Sequence, residues 1–181
     1  MDYYFNNSSL NPDSVFIFKE QEIYEILKFI GINGSIITFI ITCIAIYPSI
    51  FYIIAFIVGW GVNYQINKIL KNIFKEPRPV EIKPSNSFHE RDIIKETWGF
   101  PSGHAQIIIY AFIFLLLLKP KKIKIIILLV IILFISIFQR YIYNKHTVTQ
   151  LIAGLFIGTI FTFFYFLLIT LMKPYTQIYN F

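Results

Sequence analysis

Two histidines, two arginines and a lysine stand in three short blocks of this chain, and each block carries groups that could handle a phosphate. The first is "KNIFKEPRP", with Lys71 and Arg78 seven positions apart. An arginine offers a planar fork of donors to phosphate oxygens, and a lysine offers a point charge. The second is "PSGH", residues 101–104. Pro101 suits a first helical turn, Ser102 can cap the free amides, and Gly103 lets a ligand approach the backbone. A helix starting there points its unpaired N–H groups and positive dipole end at any anion, with His104 beside it. The third is "QRYIYNKHTVTQ", with Arg140 six residues before His146 and Gln150 four after it. That last spacing puts His146 and Gln150 on one helical face.

Brought together, these residues form a phosphoryl-transfer site. Lys71, Arg78 and Arg140 neutralise the phosphate oxygens, with help from the amides near Ser102 and Gly103. One imidazole attacks phosphorus and the other protonates the departing oxygen. Each block taken singly has a plainer account. "PSGH" is equally a capped helix with a histidine at an interface, and Lys71 with Arg78 is equally a charged helix end. No carboxylate cluster or His/Cys ligand set is visible, so the expected site uses neither metal nor cofactor. His89 has no partner motif and reads as a surface histidine.

The elements that would position these groups are membrane helices. The 181 residues are 56% hydrophobic and 14% charged, whereas a soluble domain is about 25% charged. The net charge of +6 is spread between apolar blocks, which argues against a nucleic-acid partner and for a bilayer. Cys43, the one cysteine, leaves no intramolecular disulfide to form. The polar, acidic start "MDYYFNNSSLNPDS" lacks the order of a secretory leader. Five apolar runs approach the length of about 20 residues that a span needs: 29–47, 49–70, 101–118, 123–138 and 147–172. The expected fold is an all-α integral membrane bundle of about five transmembrane helices. Residues 1–28 form an N-terminal segment in which "VFIFKEQEIYEIL" reads as an interfacial helix or an exposed lead-in. The membrane domain covers 29–172, with an active-site loop at 71–100 that three prolines keep from being helical, and a tail at 173–181.

Counting spans then fixes a convergence. The loop after the second span, the start of the third, the end of the fourth and the start of the fifth share one membrane face. Lys71, Arg78, His104, Arg140 and His146 therefore meet. Upstream of Lys71, a stripe of Gly59, Asn63 and Asn67 repeats every four residues; such a stripe faces protein rather than lipid, and Asn63 is expected to bind a neighbouring helix. The lysine-dense turn "KPKKIK" lies on the opposite face, and the positive-inside rule makes that face cytoplasmic.

In this order the blocks resemble the type 2 phosphatidic acid phosphatase superfamily, whose pattern is K-x6-R-P, then P-S-G-H, then S-R-x5-H-x3-D. The resemblance covers about half the chain. It implies a helical membrane fold and a metal-independent lipid phosphatase in which His146 is the nucleophile that forms a phosphohistidine and His104 is the general acid. Two positions depart from the pattern. Gln139 replaces the family serine, and Gln150 replaces the aspartate that orients the nucleophile. Gln150 can still accept the imidazole N–H but brings no charge. The dolichyl diphosphate phosphatases are similar at these places, with "GVN", "KNIFKEPRP", Gln106 and "HTVTQ" as the matching stretches. They imply a polyisoprenyl diphosphate substrate and a luminal site in the endoplasmic reticulum. Two other readings stay open at this point: a general phosphatidate-type phosphatase, and a non-catalytic membrane protein that keeps the phosphate pocket.

Overall fold

A computed structural model describes residues 12–79, 98–119 and 123–172, with side chains in the first stretch from Ile23 onward. His89, most of the 71–100 loop, residues 1–11 and the 173–181 tail lie outside the described residues. Five helices follow one another: α1 Pro12–Ile46, α2 Ile50–Phe74, α3 Gly103–Leu117, α4 Ile123–Ile142 and α5 Val148–Met172. All but α3 contain a stretch long and apolar enough to cross a membrane, that of α1 being Ile23–Ile46. The chain is a multi-pass integral membrane protein. Their large apolar side chains, such as Phe134, Phe138, Phe156 and Phe164, point outward, as they must where the surrounding solvent is hydrocarbon.

Three boundaries differ from the sequence reading. Helix α1 runs unbroken across residue 28 and spans about 52 Å at 1.5 Å per residue. Helix α4 continues to Ile142, so Gln139 and Arg140 lie within it; the polar side chains that suggested an end face protein instead. Helix α3 is only 15 residues long, about 22 Å. Its brevity follows from its place. It packs against each of the other four helices, and nine of its residues are buried. A helix apolar on every side is a core helix, and this one has little lipid to meet.

The interior divides along the bundle axis. At the end away from the three motif blocks, Phe56, Tyr110, Phe114, Leu129 and Ile169 form the apolar core. Phe56 and Tyr110 stack at 5.3 Å, and the Tyr110 hydroxyl donates to the Phe56 carbonyl at 2.9 Å. At the motif end the filling is polar. The buried face of α2 is the expected stripe, Gly59, Asn63, Asn67 and Lys71. Asn63 pairs with Gln106 of α3: the Gln106 amide donates to Asn63 Oδ1 at 2.7 Å and to the Asn63 carbonyl at 3.0 Å. Asn67 donates to Gln106 Oε1 at 2.8 Å and to the Pro101 carbonyl at 3.2 Å. Such bonds have no competing water in a bilayer and fix the register of two helices. Small residues do the same for α3 and α5. A Cβ at Gly154 would collide with the Ser102 carbonyl, and one at Gly158 with the Gln106 carbonyl.

Candidate active site

Each motif block reaches its place through local backbone chemistry. Helix α2 ends when Lys75 turns left-handed, at φ 48°, and its N–H caps the Lys71 carbonyl at 3.0 Å. The following chain returns on itself. Pro77 and Trp98 form an antiparallel bridge, and the Gly99 N–H donates to the Glu76 carbonyl at 2.7 Å. This neck turns Arg78 back toward the bundle, as the prolines suggested. Helix α4 closes in a similar way. Asn144 is left-handed at φ 51°, and the N–H groups of Lys145 and His146 both donate to the Arg140 carbonyl, at 3.0 and 3.3 Å. The spacing between Arg140 and His146 is thus one helix end plus one tight turn.

The "PSGH" block departs from its expected form. Helix α3 starts at Gly103, so Pro101 precedes the cap instead of occupying the first turn. Ser102 is the N-cap residue, but its side chain makes no capping bond, and its hydroxyl is buried without a partner among the described residues. Its N–H is also engaged, donating to the Gln150 carbonyl at 2.9 Å. The amides left for an anion are those of the first turn, Gly103, His104 and Ala105, which have no carbonyl one turn before them. Gly103 itself packs against Asn67, whose Oδ1 would lie 3.0 Å from an added Cβ.

The predicted residues come together. Arg140 contacts His104 Nε2, and donates to the Ile32 carbonyl at 3.3 Å. His104 Nε2 lies 3.0 Å from the same carbonyl. The charges of Lys71 and Arg140, and the ring of His146, all act on His104. The His146 ring, 4% exposed, is pushed down to about 3 by burial first, then by the positive charges of Arg78, Lys71 and Arg140, against a hydrogen bond to Gln150 that raises it. Three cations therefore converge on one buried imidazole. Like charges gathered in a low-dielectric interior repel one another strongly, and an anion between them relieves the repulsion. Among the described residues no group of three or more His, Cys, Asp or Glu side chains could hold a metal ion.

Gln150 organises this end of the bundle and is fully buried. Its Oε1 pairs with His146 Nδ1 at 3.2 Å and accepts from the Thr147 N–H at 3.3 Å. Its Nε2 donates to Glu76 Oε1 at 2.7 Å and to the Pro77 carbonyl at 2.9 Å. Gly99 lies flat against it, and a Cβ there would sit 2.5 Å from Oε1. Gln139 lies away from this hub, against Gly31 of α1, where an added Cβ would be 2.5 Å from its own Cβ; glycine on α1 is what makes room for glutamine at this position. Sequence reading did not select Ile32 and Glu76. The first contributes only a backbone carbonyl, which leaves no residue-type signal. The second stood inside the "EPRP" stretch, where its proximity to Gln150 was invisible.

The His146 ring should stay neutral in the free protein from pH 8 to pH 5. The shift is downward, so the uncharged ring is lost only as pH falls through the low folded value. Ring nitrogen NMR checks this; a titration centred near 6.5 would contradict the burial and charge argument.

Residues 50–172, covering α2 to α5 entire, match the PAP2 superfamily. A relative called "Dolichyldiphosphatase", from Saccharomyces cerevisiae, is 26% identical over 116 residues, covering 59% of this chain and 47% of its own length. The chain thus spans about half the length of that curated relative. No solved structure matches.

Proposed function

The chain belongs to the PAP2 superfamily, and on that premise we propose that it is a membrane phosphatase that removes the terminal phosphate from a polyisoprenyl diphosphate. The observation that carries this reading is the convergence of Lys71, Arg78 and Arg140 on the buried His146 ring, with His104 held beside Arg140. The relative from yeast supports the substrate class by its name, as does glutamine rather than aspartate at position 150.

In this mechanism the three cations and the first-turn amides of α3 hold the phosphate oxygens. His146 donates Nδ1–H to Gln150, which leaves the Nε2 lone pair to attack the terminal phosphorus. The bond from phosphorus to the bridging oxygen breaks, and His104 delivers a proton to that oxygen as the lipid monophosphate leaves. Water then attacks the phosphohistidine, giving up its proton to His104, and inorganic phosphate departs. Charge is stabilised by fixed side chains, so no metal enters a step. Lys119 and Lys124, which flank the turn at the opposite end of the bundle, support a luminal site.

The test is phosphate release by purified protein from polyisoprenyl diphosphate, polyisoprenyl monophosphate and phosphatidate. Release chiefly from the diphosphate, blocked by vanadate and insensitive to chelator, is the expected result. Equal rates on phosphatidate reject the narrow substrate, and no release from any of the three rejects the phosphatase.

A further inference from the structure

We propose that Glu76 is a positioning residue for His146 and acts through Gln150; the inference rests on the phosphatase reading above. The Gln150 amide makes four hydrogen bonds, two at each end, which exhausts its capacity. Both partners of Nε2, the Glu76 carboxylate and the Pro77 carbonyl, are acceptors. Turning the amide over would set its oxygen against both of them. Oε1 is therefore held toward the ring, and Nδ1 of His146 has to carry the proton. Nε2 is left with its lone pair, the tautomer that an attack on phosphorus needs.

Glu76 also returns a negative charge to the ring at one remove. A carboxylate at 2.7 Å from Nε2 polarises the amide and enriches Oε1 in electron density. When Nε2 of His146 takes the phosphoryl group, the ring becomes cationic and its Nδ1–H bond to Oε1 strengthens. The family pattern places a carboxylate at position 150. Here the carboxylate is set behind a glutamine, on the loop that follows α2. The same loop carries Arg78 two residues later, so one neck sets both a phosphate ligand and the orientation of the ring.

The experiment compares Glu76→Gln, Gln150→Asp and the double variant with the unaltered full chain. It reads kcat and KM on polyisoprenyl diphosphate, the melting temperature, and the His146 tautomer by ring nitrogen NMR without substrate. Glu76→Gln should lower kcat by roughly 10–100-fold, as loss of an orienting partner does elsewhere, with KM nearly unchanged. Its ring should become a mixture of tautomers. Gln150→Asp alone brings two carboxylates together and should lose activity. The double variant, with an amide facing the new carboxylate, should regain at least about tenfold of that loss. A Glu76→Gln protein with the original kcat and a fixed Nδ1–H overturns the inference, as does a double variant no better than Gln150→Asp. The NMR arm needs no turnover. An inactive parent chain whose tautomer still loosens in Glu76→Gln supports the relay and rejects the phosphatase reading instead.

Discussion

His146→Ala is expected to abolish phosphate release, lowering kcat by at least about 10⁴-fold, the scale on which covalent enzymes lose rate without their nucleophile. The imidazole is buried, its Nδ1 is paired with Gln150 Oε1, and the positive charges of Arg78, Lys71 and Arg140 act on it. Among the described residues, Cys43 and Ser102 are poorly placed as alternatives. Cys43 packs against the aromatic core at the far end of the bundle. The Ser102 hydroxyl is at the site, but no base is bonded to it. Labelling the terminal phosphate of the substrate and quenching during turnover distinguishes the two remaining cases. Acid-labile label on the parent chain, absent from His146→Ala, is the outcome required of a phosphohistidine. Acid-stable label, or turnover surviving in the variant, would move the nucleophile elsewhere.

The second large effect concerns His104, and its size should depend on what leaves. General acids contribute roughly 10²–10⁴-fold, and most where the leaving oxygen is strongly basic. A diphosphate expels a phosphate group, which needs its proton less than the alkoxide expelled from phosphatidate. His104→Ala should therefore cost phosphatidate cleavage the full range, the diphosphate less, and an aryl phosphate under about tenfold. The ring sits between the Ile32 carbonyl, which calls for an N–H, and the Arg140 guanidinium, which calls for a lone pair. Both contacts fall on Nε2, which can meet only one of the two demands at a time, so gain or loss of a proton at that atom exchanges one partner for the other. Equal losses on all three substrates would instead make His104 a residue that only holds Arg140 in place.

Much of this arrangement was legible in the residues. Lys71, Arg78, His104, Arg140 and His146 meet because an even number of crossings returns the chain to one face, and that parity can be counted. The asparagine stripe of α2 was readable because a period of four has one structural meaning inside a membrane, and Asn63 binds Gln106 across helices as expected. Other features depended on tertiary contacts that no local pattern encodes. The cap assigned to Ser102 is not made: its hydroxyl has no partner among the described residues, and its N–H donates to the Gln150 carbonyl, a contact from another helix. The end of α4 was placed too early because Gln139 and Arg140 look like interfacial residues until Gly31 and Ile32 of α1 are set against them. Glycine on one helix and a large polar side chain on another are complementary only in space.

The antiparallel pairing of Pro77 with Trp98 separates the length of the intervening chain from the placing of the groups beside it. Whatever chain lies between those residues is closed at its base, where the Gly99 N–H meets the Glu76 carbonyl. Lengthening such a loop raises its closure entropy only logarithmically, by about 0.6 kcal/mol per doubling. A change of length beyond Pro79 is thus expected to leave Glu76, Pro77 and the glutamine hub in place.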